Sequence, residues 1–198
     1  MDTYRYDDSG ANTSHEYLLP SLLALLARQP GRRIFEVGCG NGSIAKVLES
    51  KGFEVTGVDP SESGIARAAH PRLRLGSAYD DLAAQYGKFP VVVSLEVVEH
   101  CMSPRAYAKT IFDLLEPGGV AIVSTPFHGY WKNLALAITG RMDDHFTALW
   151  DGGHIKFWSE RTLRALLAQA GFAPIEFSRV GRVPALAKSM IALAHKPG

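Results

Sequence analysis

Glu36-Val37-Gly38-Cys39-Gly40-Asn41-Gly42 decides how this chain is read. Three glycines at alternate positions follow an apolar run, Arg33-Ile34-Phe35, and precede Ser43-Ile44-Ala45-Lys46-Val47-Leu48, whose apolar spacing is helical. The order is strand, glycine-rich turn, helix. Glycine has no Cβ, so such a turn takes positive φ and lets a ligand lie against its backbone. The helix beyond it offers unpaired N–H groups. This is a cradle for a nucleotide-type cofactor, with a ligand-free turn as the bland alternative. The dinucleotide fingerprint needs G-x-G-x-x-G. Here the third glycine comes one residue early, at Gly42, and Ser43 stands where that fingerprint wants glycine. A second apolar run, Glu54-Val55-Thr56-Gly57-Val58, ends in Asp59, whose carboxylate can accept hydrogen bonds from both ribose hydroxyls. Nicotinamide cofactors use the same device, so Asp59 alone does not discriminate.

The bulk composition bounds the answer. A chain of 198 residues that is 46% hydrophobic and 21% charged fits one globular domain, residues 1–198, with room for a real core. A net charge of +1 gives no broad pull toward DNA, RNA or anionic lipid. Cys39 and Cys101 have neither metal-type nor redox spacing. The polar N-terminus reads as no targeting peptide, and the apolar stretch 18–27 is too short to span a bilayer. A cytoplasmic protein, monomer or homodimer, is expected.

Along the chain, strands alternate with helices. A leading helix at 14–28 precedes strands at 32–37, 54–58, 73–76, 90–95 and 120–125, with helices near 42–50, 61–70, 80–86 and 103–115 between them. A helix from Ser159 to Gly171 and strands at 173–178 and 189–194 close the chain. This pattern predicts an α/β doubly wound, mostly parallel seven-stranded Rossmann-like sheet with an antiparallel edge strand. Residues 127–157 break the alternation as an aromatic, glycine-rich insertion.

The glycine spacing, the acid at Asp59 and a later Leu115-Glu116-Pro117-Gly118-Gly119 turn together resemble the class I S-adenosylmethionine (SAM) methyltransferases. That family's first motif, E/D-x-G-x-G-x-G, is matched without departure at Glu36–Gly42. The resemblance implies that Glu36, Gly38, Gly40, Asn41 and Gly42 cradle SAM. Asp59 would hold the ribose, Ala78 and Tyr79 the adenine, and Leu95 would lie near the methionine part. Asp80 and Asp81 follow the same strand. Tyr17, His15 and Tyr6 in the leading segment either fold over the cofactor or pack a helix to the sheet.

A second constellation follows the fourth strand: Glu96-Val97-Val98-Glu99-His100. Strand C-terminal ends are where open α/β sheets bind ligands. If these residues turn helically, Glu96, Glu99 and His100 share one face. Two carboxylates and an imidazole suit Mg²⁺, Mn²⁺ or Zn²⁺. E-x-x-E-H followed by His154-Ile155-Lys156-Phe157 resembles the ubiquinone-biosynthesis O-methyltransferases and the small-RNA 2′-O-methyltransferases. That resemblance implies a metal held by Glu96, Glu99, His100 and His154. Ile155 departs from the second segment, which here carries no acid. Two readings without metal stay open: Glu99 and His100 as an acid/base pair, or His100 as a structural cap.

The expected activity is methyl transfer from SAM to a hydroxyl oxygen of a small aromatic or lipophilic acceptor. The N-terminal extension usual in the ubiquinone group has no counterpart here, which points away from quinone biosynthesis itself. An N- or C-methyltransferase without metal, an RNA-end enzyme and a catalytically silent SAM-binding protein are the rivals. The insertion reads as a substrate lid, a peripheral membrane contact with Lys132 and Arg141 at its polar edge, or ordinary core packing.

Overall fold

A computed structural model describes residues 13–198, with side chains from Glu16 onward. The expectations for Tyr6 and His15 lie outside that description. Seven strands form one sheet in the order β3-β2-β1-β4-β5-β7-β6. These are β1 (Arg33–Val37), β2 (Glu54–Asp59), β3 (Leu73–Leu75), β4 (Phe89–Leu95), β5 (Leu115–Pro126), β6 (Ile175–Val180) and β7 (Ser189–His195). The first five pair in parallel, and the antiparallel pairings, β5 with β7 and β7 with β6, are confined to one edge. The strand order reverses between β1 and β4, which opens a crevice at their C-terminal ends.

Period-2 alternation explains the two cores. Phe35, Val37, Val92, Ala121 and Val123 face one side of the sheet, where Tyr107, Ile111, Leu163 and Leu166 cover them. Ile34, Val91, Val93, Val120 and Ile122 face the other, under Leu18, Leu22, Ile44 and Leu48. The covering helices are α1 (Thr13–Leu26), α2 (Ser43–Ser50), α3 (Glu62–Ala68), α4 (Leu82–Tyr86) and α5 (Pro104–Leu114). After β5 come α6 (Tyr130–Ile138), α7 (Met142–Phe146) and α8 (Glu160–Gln169). Local chemistry starts several of them. The Ser61 hydroxyl accepts from Gly64 N–H at α3, Pro104 occupies the first turn of α5, and Ser159 and Thr162 form a reciprocal capping box at α8.

Several boundaries shift by a few residues, among them strand 173–178, found at Ile175–Val180, and two shifts have a local cause. Helix α1 ends at Leu26 rather than 28, its last turn tightening into i→i−3 bonds at Arg28 and Gln29. Strand β5 begins at Leu115, not 120: Leu115 pairs with Phe89, and the register breaks before Val120 meets Val91. Pro117 cannot donate to a ladder, and Gly118 takes φ +76°, so the Pro-Gly-Gly turn is absorbed as an irregularity within one strand. No helix among the described residues is long and apolar enough to cross a membrane.

Candidate active site

The crevice holds a cavity of about 1330 Å³, and the glycine loop forms one end of it. Gly38 N–H and Cys39 N–H both donate to the Val58 carbonyl, at 2.8 and 3.1 Å, which folds the loop back over β2. Gly38 takes φ +83°, and a β-carbon there would sit 2.3 Å from Val97 Cγ2. Gly42 takes φ +72° against Leu73 and Ala68. At both positions the backbone demands a residue without a side chain.

Asp59 anchors this loop. Its Oδ2 accepts from Gly40 N–H and its Oδ1 from Ser61 N–H, each at 2.8 Å. Burial pushes its carboxyl up, and those two backbone donors pull it back down. It lines the cavity, with one lone pair per oxygen still to offer. Glu36 also lines the cavity; its Oε2 has no hydrogen-bond partner among the described residues. Burial, then the neighbouring Asp59, pushes Glu36 up to about 8. A buried acid in that condition suits a cationic ligand.

The remaining residues expected around the donor fall on the same cavity: Gly40, Asn41, Ala78, Tyr79, Leu95 and Tyr17 all line it, and Gly42 supports the loop from behind. The Tyr79 ring is partly exposed and its hydroxyl accepts from Ser103 N–H at 3.2 Å. Asp80 and Asp81 face away, accepting from Ser77 N–H and Ala84 N–H.

Beyond Leu95 the chain does not turn helically at once. Glu96 takes φ +55°, and a single 3-10 turn follows at Val98–His100. Glu96 therefore leaves the face shared by Glu99 and His100. Its Oε1 accepts from the Ser124 hydroxyl at 2.7 Å and its Oε2 from the Ser189 hydroxyl at 3.0 Å. Tyr17 Oη joins Ser189 Oγ at 3.1 Å, extending the network to α1. Burial raises Glu96 to about 7 against the pull of the two serines.

Glu99, His100 and His154 do come together, each offering a ligand atom within 4.8 Å of the others. Glu99 is 1% exposed, and neither carboxylate oxygen has a hydrogen-bond partner among the described residues. Burial, then Glu96, raises its pKa well above the usual carboxylate range. His100 Nδ1 faces the Gly152 and Gly153 carbonyls at 2.9 and 3.2 Å. It must carry the proton, which leaves Nε2 with a free lone pair. Burial lowers both imidazoles, His154 to about 4, so both are neutral near pH 7. His154 Nε2 stands 4.0 Å from Glu99 Oε1.

These donors fit a divalent metal. An orphaned buried carboxylate and two neutral imidazoles, one with its tautomer fixed by backbone carbonyls, favour Mn²⁺ or Zn²⁺ over Mg²⁺.

The insertion carries His154 to this place. Its ends are pinned, since Phe127 and Trp158 form a β-bridge and His128 N–H donates to the Trp158 carbonyl at 2.9 Å. Its last arm is stitched to the turn: Glu99's carbonyl accepts from both Ile155 N–H and Lys156 N–H at 2.9 Å, and Trp158 Nε1 donates to Val98's carbonyl. Helix α6 buries no residue; Tyr130, Trp131 (65% exposed) and Ile138 face solvent, as does Leu149 (96%). Its other side, with Lys132, Ala135, Leu136 and Thr139, lines the cavity. Sequence reasoning missed Val97, Ser124 and Ser189. None carries a local signal, because each acts through a partner far along the chain.

A sequence profile described as "Methyltransferase domain" matches residues 11–176. The ubiquinone biosynthesis O-methyltransferase of Caulobacter sp. (strain K31) is 40% identical over 118 residues, covering 56% of this chain and 46% of that protein. The enzyme of the same name from Dinoroseobacter shibae is 34% identical over 157 residues, covering 74% of this chain and 62% of its own length. The chain thus spans about half to three-fifths of these relatives. Among solved structures, the PH0226 protein of Pyrococcus horikoshii OT3 superposes with TM-score 0.72 at 19% identity, over 96% of this chain and 94% of that one.

Proposed function

The chain belongs to the methyltransferase-domain family, and we propose that it is a SAM-dependent methyltransferase acting on a hydroxyl oxygen of a small aromatic or lipophilic acceptor. One observation carries the oxygen reading: the unpartnered carboxylate of Glu99 beside neutral His100 and His154, in the cavity that the glycine loop closes. A hydroxyl acceptor uses such a group directly, because its oxygen must be oriented and lose its proton. The likeness to two ubiquinone biosynthesis O-methyltransferases supports the same choice.

The donor is SAM. Its nucleoside lies along residues 38–42 with the ribose hydroxyls toward Asp59, and Glu36 compensates the positive charge of its methionine end. The donor already carries an activated leaving group, so the protein's work is alignment and proton removal. The acceptor oxygen attacks the methyl carbon in line, the S–C bond breaks, and its electron pair stays on sulfur. Without a metal, His100 Nε2, neutral with its lone pair free, or the Glu99 carboxylate takes the hydroxyl proton. A divalent metal held by Glu99, His100 and His154 would acidify the hydroxyls bound to it. Glu96, expected as a fourth ligand, would support the turn through Ser124 and Ser189. Residues 127–157 act as the lid over the acceptor.

Incubation with SAM and a panel of catechols, read by mass spectrometry of the product, tests this. O-methylated product is expected, lost in His100→Ala with donor affinity kept. Product in full yield from His100→Ala, or methylation on nitrogen or carbon only, would overturn the oxygen reading. A second contact is supported by the outward apolar side chains of α6: Tyr130, Trp131 and Ile138 suit the interfacial region of a membrane from which a lipophilic acceptor is drawn.

A further inference from the structure

Four positively charged side chains line the cavity. Lys132 in the first turn of α6, Arg141 after α6, Arg182 after β6 and Lys188 before β7 all line it. Among the described residues, none of the four belongs to an ion pair. Lys132 is half-buried, and its Nζ donates to the Phe127 carbonyl at 3.0 Å. Burial, then the charge of Arg182, lowers its pKa, so the two cations lie within each other's field. The pull of Glu96 on Lys132 is weaker than that push. The acids of the cavity are engaged elsewhere. Glu36 and Asp59 flank the glycine loop, the Glu96 oxygens hold two serine hydroxyls, and Asp151 sits on the exposed rim.

A half-buried ammonium in the field of an exposed guanidinium gains from an anion that bridges them. We propose that Lys132 and Arg182 form an anion subsite, and that the acceptor carries a carboxylate or phosphoryl group bound there, with its hydroxyl at Glu99, His100 and His154. The inference rests on the hydroxyl-acceptor reading above and names the class of molecule it concerns. The guanidinium fork matches either oxyanion, and the ammonium adds a point charge. Leu136 and Leu186, which also line the cavity, fit an apolar body between the two ends. A nucleic-acid strand is disfavoured. Tracking a phosphate backbone needs a run of cations, whereas this chain is net +1.

The test is calorimetry on protein saturated with S-adenosylhomocysteine, using three probes: 3,4-dihydroxybenzoate, its neutral amide, and 3,4-dihydroxyphenylphosphonate. At least one anion should bind tenfold or more tighter than the amide, and the tighter of the two names the natural anion. That advantage should fall below threefold in Lys132→Gln and in Arg182→Gln and persist in Lys51→Gln. Retained S-adenosylhomocysteine binding shows each variant to be folded. The proposal is overturned if the amide matches both anions, if the preference survives both variants, or if no probe binds. Displacement by an oligoribonucleotide with a free 3′-terminal diol, but by neither acid, overturns it as well. The hydroxyl reading fails separately, if the best-binding probe yields no O-methylated product with SAM.

Discussion

Gly38 and Gly52 share almost the same backbone angle, φ +83° and +84°, yet their surroundings differ completely. Nothing lies within 4 Å of a β-carbon built at Gly52, whereas one at Gly38 meets Val97 Cγ2 at 2.3 Å. The pair therefore separates backbone strain from overlap. A left-handed φ costs a residue with a β-carbon about 1–2 kcal/mol, and Gly52→Ala should lose only that. Gly38→Ala adds the displacement of a β-branched side chain, about 1–3 kcal/mol more. A difference of that size between the two variants lowers the melting temperature of a domain this large by about 2–4 °C per kcal/mol. Urea unfolding followed by circular dichroism gives both free energies. Calorimetry with S-adenosylhomocysteine should show donor binding lost in Gly38→Ala and kept in Gly52→Ala. Adding Val97→Ala to Gly38→Ala should recover stability, with a coupling of about 1 kcal/mol or more in the cycle. Equal stability of the two single variants, with donor affinity intact in both, would refute the reasoning.

Glu36 is raised to about 8 by burial, so the folded protein holds its proton above the pH at which the unfolded chain releases it. The stability it contributes is complete below about 4.5 and is lost as pH rises through 8. The wild type should weaken relative to Glu36→Gln over that window, without ligand; parallel stability curves for the two would count against it. Glu99 is likewise raised by burial, so metal-free protein should lose stability as pH rises through its folded pKa, and Glu99→Gln should flatten that dependence while losing transfer; an unchanged pH dependence of urea unfolding would contradict the orphan assignment. Asp59→Ala frees Gly40 N–H and Ser61 N–H together, and should weaken S-adenosylhomocysteine binding by about tenfold to a hundredfold, the worth of one or two charge-assisted bonds; unchanged calorimetric affinity would reject its role as loop anchor. Trp131→Ser with Tyr130→Ser should abolish flotation with liposomes if α6 meets a bilayer; wild-type protein that stays in the dense fraction ends that reading.

The glycine-loop end of the cavity was legible because its signals are local. Glycine spacing, an apolar run and an acid at the next strand's tip all fall between Glu36 and Asp59, and the parallel β1–β2 pairing brings them together. The end at Glu99 was legible only in part. Helical spacing put Glu96 with Glu99 and His100, but φ +55° at Glu96 breaks that spacing. The cause is two hydroxyls, Ser124 on β5 and Ser189 on β7, which no local pattern connects to residue 96. His154 was found through a motif, yet what holds it is a backbone seam at Glu99 that carries no side-chain signature. The cationic cluster was not legible as one, because Lys132 lies in α6 and Arg141 just after it, while Arg182 and Lys188 lie between β6 and β7, and the two pairs meet only around the cavity.

The pinned ends of the 127–157 segment reach past this one molecule. Because Phe127, His128 and Trp158 close the segment on itself, the part from Gly129 to Trp150 can lengthen, shrink or be exchanged while the sheet and the arm held at Glu99 stay undisturbed. That part reaches the cavity through Lys132, Ala135 and Leu136, with no backbone hydrogen bond to the glycine loop among the described residues. A graft of it between relatives should change how the cavity is covered, like a new guard on an old tool, while the turn at Glu99 keeps its geometry.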